Sequence, residues 1–369
     1  MKLEVLQENF LEGLNAVNRI IPSRPSVLIL SQVQLSGENG ALTLVGSDGD
    51  TSIRTTVGAK IISEGTVCVP AKQLFDLVAS LGEGKIELKN DDQALYLKTA
   101  NFEGKILAAD SKDYPQIMPA NGQDVTWEME SKLLLKSLER VVFATSQDDS
   151  RPALSGVYWK QKEHGLLLAA TDLFRLSIVE LPQSLEEKEP IVVPVKVLTE
   201  LQKTIVGKKA PSVLLAVGKN EISFVVGETK LISRLITATF PNFEKIIPTE
   251  FSFKVTLSVG PFLKAVRTAA VFGRENSNII KLHFSPEQEF ELTAFAKDIG
   301  EQAVRLDVEI SGEVPADFHI AFNYRYLIDL LTTISTPDLL AHFTTPLTPV
   351  VFKIPGESSF THLIMPFRV

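Results

Sequence analysis

The chain of 369 residues contains one cysteine, Cys68, so no disulfide can form within it. Disulfides are typical of oxidising compartments, and their exclusion favours a reducing one. Cys68 lies in the apolar run 66–69, which predicts a buried thiol rather than a nucleophile. The opening residues, MKLEVLQENFLEG, lack the apolar stretch of a secretory signal, and no apolar run is long enough to cross a bilayer. We therefore expect a cytoplasmic protein without a membrane partner.

The sequence also lacks the common motifs of enzymes and metal sites. It has no Gly-x-x-x-x-Gly-Lys-[Ser/Thr] phosphate loop, no His-Glu-x-x-His and no cysteine pair. The five histidines are scattered along the chain, and Asp148 and Asp149 lie between serines in a polar stretch typical of a solvated loop. No set of residues forms a catalytic, cofactor or metal site, and the sequence predicts a protein that is not an enzyme.

Positive charge is in the minority. There are 37 Lys and Arg against 45 Asp and Glu, which gives a net charge of −8. This balance argues against a simple basic nucleic-acid binder. Net charge does not report how charge is distributed, however, and a cleft or ring can be acidic outside and basic within.

What the sequence does contain is a threefold repeat. A segment at residues 69–78 returns at 193–202 and 322–331, with offsets of 124 and 129 residues. In each copy an apolar stretch meets Pro or Asn, then Lys or Arg, then apolar residues at helical spacing; Pro is tolerated in the first turn of a helix. A second amphipathic segment recurs at 10–17, 134–141 and 262–269, offset by 124 and 128. Two helices that keep one period predict a repeated domain.

Segments rich in β-branched residues separate the two helices of each repeat and follow the second helix. Each repeat therefore reads as strand, helix, several strands, helix and several strands, which is an α+β unit. In the third repeat the run 302–310 predicts a single strand. Pro-containing segments that close the repeats place boundaries near residues 123 and 252. The predicted domains are 1–123, 124–252 and 253–369.

Basic side chains recur on equivalent helices. Lys132, Lys136 and Arg140 are spaced by four and are predicted to share a face opposite Leu134 and Leu138. A single exposed Lys or Arg more often serves solubility, but this recurrence in an acidic protein predicts a surface that attracts phosphates. The predicted set is Arg19, Arg24, Lys72, Lys132, Lys136, Arg140, Lys196, Lys203, Lys264, Arg267 and Arg325.

Six motifs at these spacings resemble one known family over essentially the whole chain. They lie at 151–157, 170–176, 193–196, 240–244, 322–327 and 365–369. Together they resemble the bacterial sliding clamp, the beta subunit of the replicative DNA polymerase III holoenzyme. The resemblance implies a ring-forming fold of three DNA-clamp domains, each with antiparallel sheets outside and two helices inside. It also implies a processivity factor, a head-to-tail homodimer that encircles and slides on double-stranded DNA without reading its bases.

The partners that the resemblance implies are the catalytic subunit of the replicative DNA polymerase, an ATP-dependent clamp loader and other clamp-binding repair and replication proteins, in a cytoplasmic, nucleoid-associated setting. It implies a dimer interface in which Phe102 and Ile106 of the first domain meet Val271 and Phe272 of the third. It also implies a pocket for a short partner peptide. The pocket residues are Leu154, Thr171, Leu173, Arg175, Leu176, Pro241, Lys245, Ile246, Asn323, Tyr326, Pro349, Leu363, Ile364, Met365, Pro366, Phe367 and Arg368.

The chain departs from the family pattern at three places. Leu173 stands where Gly is usual, so we expect either strain at a positive φ or a different turn, and a shifted peptide preference. Lys245 replaces an Arg found in some relatives, which keeps the charge and loses bidentate geometry. The loop 147–150 is an acidic version of one that contacts DNA in the family.

Two other classes remain open from the residues alone. The repeats also suit a β-rich scaffold or ligand-binding protein that does not encircle DNA. An enzyme ranks third, because it would need a site that the sequence does not display.

Overall fold

The computed structural model describes residues 1–91, 93–115, 126–148, 150–184, 189–285, 287, 289–316 and 318–368. The predicted boundary near residue 123 lies outside these ranges, as do Asp149 of the acidic loop and Val369 of the closing motif. The chain forms two compact units, Met1–Leu135 with Val193–Leu235, and Lys136–Val192 with Ile236–Val369. No helix within the described residues is both long and apolar enough to span a membrane.

The predicted pair of helices in each repeat is confirmed: the second helix of the first and third repeats begins and ends two residues later than predicted, and the other four helices are longer. Pro70 and Pro194 directly precede the second helix of the first two repeats, and the side chain of Asn323 caps the third by accepting a bond of 3.0 Å from the N–H of Arg325. The helices are α1 Gln7–Asn18, α2 Ala71–Ser80, α3 Ser131–Val141, α4 Val195–Lys208, α5 Val259–Gly273 and α6 Tyr324–Thr333.

The strands follow the same order in the first two repeats, and the third repeat has one additional strand before its second helix. The first repeat holds β1 Lys2–Leu6, β2 Gln32–Glu38, β3 Ala41–Ser47, β4 Thr51–Ser63, β5 Gly65–Pro70, β6 Lys85–Asn90, β7 Ala94–Lys98 and β8 Glu103–Leu107. The second holds β9 Thr126–Glu130, β10 Gly156–Lys162, β11 Gly165–Thr171, β12 Arg175–Leu181, β13 Ile191–Pro194, β14 Ser212–Val217, β15 Glu221–Val226 and β16 Thr229–Arg234. The third holds β17 Phe253–Ser258, β18 Ile279–Phe284, β19 Phe290–Ala296, β20 Gly300–Arg305, β21 Glu309–Gly312, β22 Phe318–Asn323, β23 Asp338–Phe343, β24 Val350–Ile354 and β25 Glu357–Ile364.

The strand predicted at 302–310 is wrong as a single element. It divides into β20 and β21, which belong to different sheets, because β20 pairs with β19 whereas β21 pairs with β17. At the break, the N–H of Leu306 bonds the carbonyl of Phe290 at 3.3 Å, and the chain then leaves β19. Alternation of apolar and polar residues continues across such a break, so the pattern alone does not reveal it.

Three sheets form within the described residues. One has twelve strands, with the path β8-β7-β6-β1-β4-β16-β15-β14-β9 and with β2, β3 and β5 attached beside β4. The second runs β13-β10-β11-β12-β25-β24-β23-β17-β21, and the third runs β20-β19-β18-β22. Strand neighbours pair antiparallel, which allows one face of a sheet to be covered while the other meets solvent.

Helices cover one face of the sheets in each unit. In the first, α1 packs on β3, β4 and α2 and buries Phe10, Leu14 and Val17. Gly13 permits this approach, because a Cβ there would lie 2.9 Å from Leu44 Cδ1. In the second, α5 packs on β19 and α6 and buries Phe262 and Val266. The opposite, polar faces of these helices are left exposed.

Two junctions between repeats are built in the same way. Strand β4 of the first repeat pairs with β16, the last strand of the second, and Thr55 Oγ1 lies 2.8 Å from Thr229 Oγ1 across that ladder. Strand β12 of the second repeat pairs with β25, the last strand of the third. The equivalent strands of the remaining pair, β20 and β8, lie at the ends of their sheets. Among the residues that the structure describes, the third and first repeats thus each keep one strand, β20 and β8, with an unpaired edge.

Three buried side chains respond to the low polarity of the core. Burial raises the pKa of the Cys68 thiol to about 12, which confirms the prediction of an inert buried cysteine. Burial likewise lowers the pKa of His342 to about 4, and the positive charge of Lys254 lowers it further. Burial lowers the pKa of His362 to about 3, and the positive charge of Arg175 adds to this shift. Neither imidazole has a hydrogen-bond partner among the described residues. Both histidines are therefore neutral in the folded protein.

We expect His362 to make the protein sensitive to acid. In the unfolded chain His362 binds a proton near pH 6.5, whereas in the folded protein it does so only near pH 3. The contribution of the neutral, buried His362 to the free energy of unfolding is therefore complete above pH 6.5 and is lost as the pH falls from 6.5 toward 3. The free energy of unfolding should fall by up to about 1.4 kcal/mol per pH unit from this group. His362 packs against Phe143 and Phe360, so His362→Phe should fit and should flatten the dependence measured by urea denaturation from pH 7 to pH 4.

His164→Phe is the matched control, because the His164 side chain is 90% exposed. That variant should keep the acid dependence of the parent chain. An equal acid dependence in His362→Phe would show that His362 is not the group responsible.

Candidate peptide-binding site

The predicted pocket residues all lie in the second unit, and several of them lie at or beside the turn between β11 and β12. Two side chains hold this turn. Thr171 Oγ1 accepts from the N–H of Leu173 at 3.0 Å and donates to the carbonyl of Arg175 at 2.6 Å. Asp172 Oδ1 accepts from the N–H groups of Phe174 and Arg175, both at 2.9 Å. Short Asx-type bonds of this kind fix the backbone without the help of neighbouring strands.

Leu173 occupies the turn in a left-handed conformation, with φ of +77°. Of the two alternatives expected at this departure from the family pattern, the structure shows the first, a positive φ at Leu173. A non-glycine residue is uncommon in this region because its Cβ approaches the following carbonyl. Leu173 is 43% exposed and its neighbour Phe174 is 60% exposed, so the turn presents two large apolar side chains at the surface.

Arg175 ties the start of β12 to helix α6. Its Nε donates to Asp172 Oδ2 at 3.1 Å and its Nη1 to Asp329 Oδ2 at 2.6 Å. The guanidinium also lies over the rings of Tyr326 and Phe143, at 4.8 and 5.4 Å from their centroids. Two carboxylates and two rings hold Arg175 in place, and its side chain is only 9% exposed, so it stabilises the walls of the site.

Tyr326 and Asn323 place the third repeat beside this turn. Burial raises the pKa of the half-buried Tyr326 phenol, and the negative charge of Asp172 adds to the effect. Its hydroxyl therefore stays protonated and available as a donor. Asn323 ends β22 and starts α6, which positions the ring of Tyr326 on the first turn of that helix.

The apolar floor of the site is part of the core. Strands β12 and β25 pair with Leu176 opposite Leu363 and Arg175 opposite Ile364. Leu176 and Leu363 pack in one cluster with Phe240 and Phe243, which follow β16 in the chain, and Leu154 is also buried. These predicted pocket members are thus buried supports, whereas Pro241, Lys245, Ile246 and Pro349 are exposed or half-buried.

The C-terminal segment closes one side of the site. The N–H of Met365 bonds the carbonyl of Phe174 at 2.8 Å, and that of Phe367 bonds the carbonyl of Ala321 at 2.7 Å. Met365 and Phe367 remain 37% and 48% exposed, with Pro366 half-buried and Arg368 exposed. These two bonds dock the apolar tail on the second unit, and its exposed side chains stand beside those of the turn.

Five residues of this region were not predicted from sequence. Phe174 lies within the motif at 170–176, and its exposure beside the strained Leu173 is evident only in the structure. Phe143, Phe240, Phe243 and Asp329 act through contacts between distant segments. Their roles depend on tertiary packing, which single-sequence periodicity does not report.

The prediction that Arg140 belongs to the exposed basic surface is wrong. It is only 3% exposed, its guanidinium pairs with Glu357, and it lies over the ring of Phe360. Residues spaced by four on a helix of 3.6 residues per turn drift by about 40° at each step. Lys132 and Lys136 are exposed, but the drift carries Arg140 round toward the buried side, next to Leu138 and Val141. Glu357 neutralises it, and this bond lowers the pKa of the Glu357 carboxyl.

The remaining basic residues are exposed or half-buried and fall into two groups. In the first, each cation has a carboxylate partner: Arg19 and Lys203 both bond Glu200 at 2.7 Å, Lys196 pairs with Asp48, and Lys136 lies 3.8 Å from Glu357. The second group forms no ion pair within the described part of the chain. Its members are Arg24, Lys72, Lys132, Lys264, Arg267 and Arg325.

Known sequences place the chain in a family. Sequence models of the DNA polymerase III beta subunit match its N-terminal domain at residues 1–118, its central domain at 128–242 and its C-terminal domain at 244–368. The chain belongs to this family. The expected α+β fold of three tandem clamp domains is confirmed, while the boundaries near residues 123 and 252 stay predictions.

Individual relatives agree over their full length. The chain is 29% identical over 377 residues to the beta sliding clamp of Synechococcus elongatus, with all of both chains covered. It is 27% identical to that of Staphylococcus aureus, covering 100% of this chain and 99% of that one. The crystal structure of the Bacillus subtilis DNA polymerase sliding clamp shares the fold, with a TM-score of 0.94 at 24% identity and coverage of 100% and 99%.

We expect Arg175→Ala to lower the free energy of unfolding of the second unit by about 2 kcal/mol. Breaking a buried ion pair costs about 3 kcal/mol or more, and the partial exposure of Asp329 reduces that figure. Arg175→Lys should recover less than half of the loss, because a lysine cannot reproduce the fork or the ring contacts. Urea denaturation measures both values.

Arg305→Ala is the matched control, since Arg305 also bonds a carboxylate, Glu291, but its side chain is 82% exposed. Its cost should stay within about 0.5 kcal/mol. Equal costs at the two arginines would contradict a stabilising role of Arg175.

Proposed function

We propose that the chain is a processivity factor rather than an enzyme. Two copies join head to tail as a homodimeric ring that encircles double-stranded DNA, slides on it and tethers the replicative DNA polymerase and other DNA-processing proteins through the peptide site. The observation that carries the proposal is the repeated junction between clamp domains. Relatives named beta sliding clamps favour this function over the alternative of a scaffold that does not encircle DNA.

The two junctions within the chain suggest how a ring would close. Each joins the fourth strand of one repeat to the last strand of the next, as β4 with β16 and β12 with β25. Only β20 and β8 lack this partner within the described residues. Pairing β20 of one copy with β8 of a second would repeat the same junction. A heterologous contact of this type closes into a ring when its rotation returns to the start.

Side chains near both edges suit such an interface. On the first repeat the ring of Phe102 lies over Gly104, whose Cβ position it nearly fills, and Ile106 is half-buried on β8. Val271 is exposed at the end of α5 and Phe272 is half-buried beside it. An exposed strand edge with apolar neighbours invites pairing with another chain. We therefore propose that the dimer interface includes Phe102, Ile106, Val271 and Phe272.

Contact with DNA would use the exposed faces of the helices. Lys72 and Arg325 lie in the first turns of α2 and α6, and Lys132, Lys264 and Arg267 lie on α3 and α5 without carboxylate partners in the described ranges. Such cations attract phosphates irrespective of sequence. Pairing of Arg19, Lys196 and Lys203 with carboxylates limits the total attraction. Weak contact suits a protein that must slide, because closure of the ring supplies the tether.

The chain should behave as a dimer that stays on nicked circular DNA and is lost when the circle is cut. A clamp loader with ATP would place it there, and gel filtration would measure retention. Retention that is equal on circular and linear DNA would overturn the ring. Val271→Glu places a charge at an exposed seam residue, so it should yield a folded monomer that is not retained.

The double variant Met365→Ala with Phe367→Ala should abolish stimulation of polymerase processivity while the dimer and its retention on circles persist. Both side chains are partly exposed, so their loss removes contacts for a peptide and little of the core. Leu214→Ala, which removes a side chain of 42% exposure from β14, is the control and should leave stimulation intact. Full stimulation by the double variant would refute the site.

A further inference from the structure

We infer that Leu173 is a specificity-determining residue of the peptide site, held in a strained conformation that the fold itself does not need. The inference rests on the proposed function and deepens it. It assigns to the partner peptide an apolar side chain that meets Leu173 at the rim of the site.

The first repeat contains the same turn without a leucine. Ser47 Oγ accepts from the N–H of Gly49 at 3.1 Å and donates to the carbonyl of Thr51 at 3.3 Å. Asp48 Oδ1 accepts from the N–H groups of Asp50 and Thr51, at 3.0 and 2.7 Å. These are the bonds that Thr171 and Asp172 make in the second repeat, at an offset of 124 residues.

The two turns differ at the residue that takes a positive φ. Gly49 has φ of +103° and Leu173 has φ of +77°. Glycine adopts this region freely, whereas a leucine there is strained. The sister turn shows that Gly meets every backbone requirement of this bonding pattern. The side chain of Leu173 is thus not required to form the turn.

The side chain of Leu173 adds little to the stability of the fold that would offset the strain. Leu173 contributes only its backbone N–H to the bonds of the turn, and 43% of the residue remains exposed. Strained residues persist where the surrounding structure enforces them, and they cluster at ligand sites. The turn is held rigidly by Thr171 and Asp172, so the leucine is presented in one fixed direction.

The position of the turn indicates what Leu173 contacts. The carbonyl of the next residue, Phe174, bonds the N–H of Met365, so the turn and the C-terminal segment lie side by side. Phe174, Met365 and Phe367 are all partly exposed there. Leu173 therefore extends an apolar rim, and a peptide lying across it would bury the leucine against an aliphatic or aromatic side chain. A glycine at this position would offer that side chain no partner.

The test compares Leu173→Gly with the parent dimer, using a fluorescein-labelled peptide of eight residues that carries neighbouring Leu and Phe side chains. Fluorescence anisotropy should show affinity reduced about tenfold in the variant, as expected for the loss of a contact of this size. The melting temperature should not fall, because relief of strain offsets the lost packing. A serine scan of the peptide should find one apolar position whose replacement weakens binding to the parent but not to Leu173→Gly.

Gly49→Leu is the matched control in the sister turn. A Cβ at Gly49 would meet only Leu30 Cδ1 at 3.6 Å, so the substitution tests conformation without a clash. It should lower the melting temperature and leave peptide affinity unchanged. An unchanged affinity in Leu173→Gly, or a fall in its melting temperature, would overturn the inference alone. Failure of the parent dimer to bind any peptide of the scan would overturn the proposed site and the inference together.

Discussion

The ladder between the fourth strand of one repeat and the last strand of the next is the constraint on which the rest depends. It makes each sheet continuous through a junction, so a strand cannot shift by one residue without moving its apolar side chains to the wrong face. The ladder between β12 and β25 also sets Arg175 opposite Ile364 and Leu176 opposite Leu363. The candidate peptide site therefore lies on a junction between two repeats, and backbone hydrogen bonds fix the register of the strands that carry it.

The distribution of charge differs from the net charge of the chain. A net charge of −8 opposes DNA at a distance, yet α2, α3, α5 and α6 carry cations that have no carboxylate partner among the described residues. Glu200, which is buried, holds Arg19 and Lys203 in fixed positions, and Asp48 does so for Lys196. Paired cations keep their geometry and lose part of their field. The balance suits a ring that needs guidance along a duplex more than affinity for it.

Much of the fold was predictable because the repeat supplied three readings of each element. The helices and nearly all strands followed from periodicity, and the motifs supplied the residues of the candidate peptide site. Local sequence patterns gave wrong predictions where a small angular offset adds up along a helix, and where tertiary packing determines the path of the chain. Arg140 left the exposed face through helical drift, and residues 302–310 divided between two sheets. The partners of Arg175 come from β11, α6 and the segment after α3, so only the folded chain brings them together.

The first and second repeats each contain the same turn, at residues 47–51 and 171–175. Two turns with the same hydrogen bonds form an internal control, in which Gly49 reports what the fold requires and Leu173 what it tolerates. The difference between them cannot come from backbone bonding, since that is shared. It must arise from what each side chain meets, and Leu173 meets solvent beside Phe174 and Met365. A residue that strains a rigid turn and faces outward is best explained by a partner that the isolated chain does not contain.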